Sequence, residues 1–74
     1  MVITIAKKLL NPISLPGMGK SIELNGLTQE EVLHIHSAFS KKELFVEFTE
    51  EQGHEIPVTN LWANPHALQV TLFV

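Results

Sequence analysis

The residues of this chain best suited to chemistry are its four histidines, His34, His36, His54 and His66. Imidazole is the commonest metal ligand, and two histidines one residue apart can share an ion when both rings point the same way. A strand permits that arrangement. A helix instead sets His34 and His36 about 200° apart, at roughly 100° per residue. The pattern around them is helical, so the pair is not expected to chelate. His54 and His66 fall in turn-like sequence and are expected to be solvated. Cysteine is absent, which removes thiolate metal sites and disulfides together. No metal and no cofactor are expected.

Gly17-Met18-Gly19-Lys20-Ser21 invites comparison with a phosphate-binding loop. That motif needs another glycine five positions before Gly19, where Ser14 stands, and a following helix whose amino end holds the phosphate. Lys20-Ser21 leads instead into strand-like alternation, so a Pro-Gly turn feeding a strand is the better account. None of Ser14, Ser21, Ser37 and Ser40 lies on a nucleophile elbow. The paired carboxylates Glu30-Glu31 and Glu50-Glu51 sit at a helix start and a hairpin turn, where they are ordinary solvated charges. A chain this short also has little material to wall off a pocket of several hundred Å³. An enzyme is not expected. Lys20, His36 and His66 are the side chains that a small ligand would use.

These side chains must be carried by a short list of elements. Val2 to Ala6 is a β-branched run and the first strand. Lys7 to Lys20 is irregular, with turn signals at Asn11-Pro12 and Pro16-Gly17. It is unusually apolar for a loop, carrying Leu9, Leu10, Ile13, Leu15 and Met18, and it is expected to fold against the core, with a short strand at Ile13 to Leu15 and the option of a binding role. Ser21 to Asn25 alternates, with Ile22 and Leu24 inward. Thr28-Gln29-Glu30-Glu31 is a capping box, and its carboxylates suit the helix dipole. The spacing of Val32, Ile35 and Phe39, joined by Leu33 and His36, predicts a helix from Gln29 to Phe39 or Ser40. Leu27 is placed to staple onto Val32.

Lys41-Lys42 marks the helix exit. Leu44 to Thr49 is a strong strand with Leu44, Val46 and Phe48 on one face, and Glu50 to His54 is a hairpin connection with Gly53 free to take positive φ. Glu55 to Thr59 pairs back, and Pro57, without an amide proton, places that strand at an edge. Asn60 to Ala67 is expected to be a loop holding Trp62, the one tryptophan. Leu68 to Val74 is the best strand, with Leu68, Val70, Leu72 and Val74 inward and Gln69, Thr71 and Phe73 on the other face. An apolar terminal strand of this kind requires a paired, covered place.

Together these elements predict a single α+β domain over residues 1–74, a small, mainly antiparallel sheet of four to six strands with one helix packed on one face. The chain is 45% hydrophobic, which argues against disorder, and too short to be very stable alone. Without disulfides or metal, self-association is the expected supplement. The net charge of −3 and two isolated lysine pairs, Lys7-Lys8 and Lys41-Lys42, argue against a nucleic-acid partner. No apolar run has the length of a transmembrane helix, and the amino end carries its charges after its apolar run, the reverse of a signal peptide. A soluble, cytoplasmic protein is expected.

A sheet that packs a helix on one face leaves Phe45 and Phe73 on the other, with Trp62 nearby. These three aromatics are the interface candidates. The expected function is a non-enzymatic binding or assembly module that self-associates and contacts another protein, in the manner of the small inhibitors, adaptors and particle components of bacteria and phages. The alternative is a small-ligand-binding or sequestering protein with an inter-subunit pocket built from Lys20, the histidines and Trp62. A third course is a metal-dependent enzyme built from histidines across an interface.

Overall fold

The computed structural model describes the whole chain except Ser14, Leu15, Met18 and Pro65. The element order is β1 (Val2–Ile5), a 3₁₀ helix (Lys7–Leu9), β2 (Ser21–Leu24), α1 (Gln29–Ser40), β3 (Phe45–Phe48), β4 (Glu55–Pro57), β5 (Asn60–Asn64) and β6 (Gln69–Phe73). The fold is α+β, with one helix against mostly antiparallel strands. Those strands divide between two three-stranded sheets, β1-β3-β4 and β2-β6-β5. The pair β1–β3 is parallel, so the chain crosses over through β2 and α1 between them, as parallel neighbours require.

Helix α1 starts where the sequence places it. Thr28 Oγ1 accepts from the Glu31 N–H at 3.1 Å, and Glu31 Oε1 accepts from the Thr28 N–H at 2.9 Å. Val32 and Ile35 are buried, Ala38 and Phe39 are half-buried, and Leu27 packs on the core cluster that contains Val32. Leu33 and His36, expected to join the apolar stripe, are exposed. The buried arc is narrower than the sequence suggests because Val32, Ile35 and Phe39 already fill it. The helix ends in a Schellman motif: Lys42 N–H donates to the Phe39 carbonyl at 3.0 Å and Glu43 N–H to the Ala38 carbonyl at 2.8 Å. Lys42 occupies the left-handed position, φ +58, that glycine usually fills.

Register sorts the strands into faces. In the first sheet, Ile3, Val46 and Ile56 form one inward row and Ile5 with Phe48 the next. In the second, Ile22, Leu72 and Leu61 form one inward row and Leu24 with Val70 the other. Ile22, Val46, Val70 and Leu72 have no exposed surface. The two sets meet in one core with Val32 and Ile35 of the helix.

Asn60 to Ala67, expected to be a loop, begins instead with strand β5. Its five residues pair with β6 from Asn60↔Phe73 to Asn64↔Gln69; Leu61 packs on the core opposite Leu72, while Ala63, opposite Val70, is exposed. Strands β4 and β5 nearly form one strand, bent at Val58-Thr59. Val58 N–H donates to the Leu44 carbonyl at 3.0 Å in one sheet, and Thr59 N–H to the Phe73 carbonyl at 2.8 Å in the other. A strand that changes sheets at a corner is a known way to join two packed sheets. Pro57 lies on β4, the expected edge of its sheet.

The segment between β1 and β2 is anchored at both ends. Lys7 N–H donates to the Glu50 carboxylate at 3.0 Å, and Lys7 Nζ pairs with Glu51 at 2.7 Å. Leu10 bridges to Ile22 and packs on the core, whereas Leu9 and Ile13 are exposed. The short strand expected at Ile13 to Leu15 lies partly outside the described residues. At the far end, Lys20 N–H donates to the Val74 carbonyl at 3.2 Å and Val74 N–H to the Lys20 carbonyl at 2.9 Å. Gly19 has φ +78, and a Cβ there would stand 2.5 Å from the Val74 carbonyl oxygen. Glycine is required at this point for close backbone approach.

Candidate functional site

The outer face of the β2-β6-β5 sheet carries two rows running across all three strands. One row is Glu23, Thr71 and Trp62; the next is Ser21, Phe73 and Asn60. Gln69 and Asn64 add a third, shorter row. Trp62 is 58% exposed, while Phe73 in the neighbouring row has no exposed surface. Their rings meet edge-on, with centroids 5.1 Å apart and planes at 69°. That geometry places the positive edge of one ring against the negative face of the other and is worth roughly 0.5–1.5 kcal/mol beyond area burial. Phe73 therefore has an interior role that the sequence did not suggest: it is the floor on which Trp62 is held. A shallow depression of ≈ 200 Å³ beside Trp62 is lined by Ala63, Asn64, Gln69 and Thr71.

Phe45 is not part of this patch. It lies on the outer face of the other sheet, in a row with Val2 and Pro57, and is half-buried. The three interface candidates thus divide into a contacting pair, Trp62 and Phe73, and a separate residue. Glu23 is the one charged side chain among the outer-face residues of the β2-β6-β5 sheet; amides, hydroxyls and the indole make up the rest. The face is therefore nearly uncharged around an exposed indole that rests edge-on against Phe73.

The helix is flanked by two open grooves that sequence reasoning missed. One, of ≈ 550 Å³, lies between the carboxyl half of α1 and the β4–β5 corner, lined by His36, Phe39, Lys42, Leu44, Pro57 and Thr59 among others. The second, of ≈ 380 Å³, lies against β1 and is lined by Ile3, Leu9, Leu24, Leu27, His34 and Ile35 among others. A chain of this size does form concavities of several hundred Å³, contrary to expectation. Their walls come from the gap between a helix and two sheets, and single-sequence periodicity carries no record of that spacing.

His34 and His36 face different grooves, as the helical repeat predicts. Lys20 and His66 are exposed and line neither of these two grooves. Lys20 spends its backbone groups on Val74, and its chain continues into β2, so the helix amino end that a phosphate-binding loop requires does not follow it. Of the three side chains expected to serve a small ligand, His36 alone lines one of these two grooves. Among the described residues, no cluster of three or more His or Glu side chains is placed to hold a metal ion, and no helix is long and apolar enough to cross a membrane.

The perturbed ionisations belong to Lys7 and Glu50, which line neither of the two grooves and are not on the aromatic face. Thr49 donates its hydroxyl to Glu50 at 2.7 Å, and the Lys7 N–H adds a second bond, which together hold the Glu50 carboxyl below its ordinary value. The hydrogen bond and charge of Glu51 raise Lys7. This cluster fastens the 3₁₀ helix to the β3–β4 hairpin and is structural.

No protein-family model matches the chain, and neither a curated protein nor a solved structure does.

Proposed function

We propose that this chain is a non-enzymatic assembly module whose β2-β6-β5 outer face takes a second copy of itself, and that the resulting assembly contacts another protein. The observation that carries the proposal is Trp62, 58% exposed yet fixed edge-on against a fully buried Phe73. Aromatic anchors that are rigid before binding lose little conformational entropy on docking, and tryptophan is among the residues most enriched where binding energy concentrates. A second copy is the occupant favoured by charge. In an isologous pair each face meets itself, so a charged face would repel its partner, whereas this one brings only Glu23 from each copy. A cytoplasmic setting belongs to the same proposal, supported by the cysteine-free sequence.

Sedimentation velocity over a concentration series, read alongside tryptophan emission, tests this. Self-association through the proposed face buries the sole tryptophan, so the mass should rise and the emission shift to the blue together. Trp62→Ser should leave the circular dichroism native and the mass monomeric. A wild-type chain that stays monomeric at tens of micromolar concentration would refute self-association, because mass action favours the assembly there.

The second reading, a small-ligand binder, is favoured by the ≈ 380 Å³ apolar groove with Glu31 and His34 among its lining residues. Native mass spectrometry separates the two, since a retained small molecule on a monomer supports the groove and a bare dimer supports the face.

A further inference from the structure

We propose that Asn25 is a site of self-modification, at which the side-chain amide is lost to the following backbone nitrogen and the chain carries an aspartyl or isoaspartyl linkage thereafter. The reaction needs an asparagine, a following N–H free to reach its side chain, and water. The chain has four asparagines, Asn11, Asn25, Asn60 and Asn64. Asn11 and Asn64 precede Pro12 and Pro65, whose ring nitrogens carry no proton and cannot close the ring. Asn60 precedes Leu61 inside β5, where pairing with β6 holds the backbone extended, and the Leu61 side chain crowds the attacking nitrogen as glycine does not.

Asn25 alone combines the chemistry with the freedom to use it. It follows the last residue of β2, and both Asn25 and Gly26 are exposed. Gly26 has φ +69, and the space where a Cβ would stand is empty, so no side chain of its own and no neighbouring atom crowds that carbon beside the attacking nitrogen. Asn25 Nδ2 donates to Glu23 Oε1 at 3.2 Å, which sets a carboxylate beside the nitrogen that must leave.

The step balances without any oxidant or cofactor. The Gly26 nitrogen gives its proton to water and attacks Asn25 Cγ. The new N–Cγ bond closes a five-membered imide, the Cγ–Nδ2 bond breaks, and Nδ2 takes up a proton to depart as ammonia. Water then opens the imide at either carbonyl. Opening at one restores a normal peptide bond with an aspartate side chain; opening at the other routes the main chain through the former side chain.

The location gives the modification a consequence. Asn25 lies between Leu24 and Leu27, both of which line the ≈ 380 Å³ groove, and the Leu27 N–H donates to the Leu68 carbonyl at 3.2 Å. Either product makes the net charge one unit more negative than the −3 of the parent chain. The isoaspartyl product also lengthens the backbone between two groove-lining residues. Old copies of the chain would therefore differ from new ones at this groove, whether or not the protein assembles through its aromatic face.

The sequence contains no aspartate, so every aspartyl or isoaspartyl residue detected is a product. The test incubates the folded full-length chain in mildly alkaline buffer and follows intact mass, with peptide fragmentation to locate the change. The expected result is progressive exchange of NH2 for OH, mapped to Asn25 and lost in Asn25→Gln, whose longer side chain would need a six-membered ring. Native circular dichroism for that variant keeps the comparison valid. Modification mapping to another residue would overturn the proposal. So would a folded chain that keeps its mass while the urea-unfolded chain gains it.

Discussion

Replacing Phe73 by Ser tests the central structural claim, that this ring is the floor of the exposed aromatic face and part of the fold. Phe73 has no exposed surface, and truncating such a residue to Ala typically costs about 3–5 kcal/mol. Loss of its edge-on contact with Trp62 adds roughly 0.5–1.5 kcal/mol, and serine adds a buried hydroxyl without an assigned partner. At about 0.05–0.15 kcal/mol per residue, a domain of this length has roughly 4–11 kcal/mol to lose. The variant should therefore be partly or wholly unfolded at room temperature. Trp62→Ser removes a ring that is 58% exposed and should cost the monomer about 1 kcal/mol or less beyond the shared pair energy. Urea unfolding followed by circular dichroism, on the two single variants and the double, measures both costs and the coupling between them. A Phe73→Ser midpoint equal to wild type, or a Trp62→Ser loss as large as that of Phe73→Ser, would refute the division into floor and anchor.

Thr28→Ala removes the hydroxyl that caps α1 and should lower stability by about 1 kcal/mol; an unmoved melting midpoint would place the cap elsewhere. Lys42→Gly relieves a left-handed conformation costing roughly 1–2 kcal/mol for a residue with a side chain, offset by the roughly 0.4–1 kcal/mol of extra freedom glycine brings to the unfolded chain. The balance is unchanged or higher thermal stability, and a marked loss would show that the lysine side chain holds the helix end. Because the Glu50 carboxyl is depressed in the folded state, its contribution is complete above its ordinary value and is lost as pH falls through the folded one. Acid titration of Glu50→Gln should accordingly give a shallower stability decline than wild type in that range; identical curves would remove Glu50 from the latch.

The local signals were legible wherever a residue's own neighbours determine its conformation. The Thr28–Glu31 box fixes the helix start because both bonds are made within one turn. Leu44, Val46 and Phe48 alternate strongly, and Gly53 has the positive φ, +85, expected of the hairpin. What remained hidden depends on partners distant in sequence. Asn60-Leu61-Trp62-Ala63-Asn64 has asparagine at both ends, so its propensity is weak, and β6 makes it a strand by pairing with all five residues. Phe73 alternates outward, and no pattern could reveal that Trp62, eleven positions earlier, would lie beside it. The split into two sheets has the same cause, since it rests on one bend at Val58-Thr59 whose bonds reach Leu44 and Phe73.

That bend also explains why the molecule presents two unlike surfaces. By turning β4 into β5 at an edge, it carries the chain from the first sheet to the second and opens the groove beneath the carboxyl half of α1, where Pro57, Val58 and Thr59 form one wall. The same turn delivers Trp62 to the outer face of the second sheet, three residues beyond Thr59. A change at the corner should therefore act on the groove and the aromatic face together. Thr59 is the natural place for such a change, because its N–H and its Oγ1 both donate to the Phe73 carbonyl, at 2.8 and 3.1 Å. Both bonds end on the backbone of Phe73, whose ring contacts Trp62, so Thr59→Val, which removes the hydroxyl bond, should disturb the proposed assembly through Trp62 and the shape of the groove together; a variant that alters neither would refute the coupling.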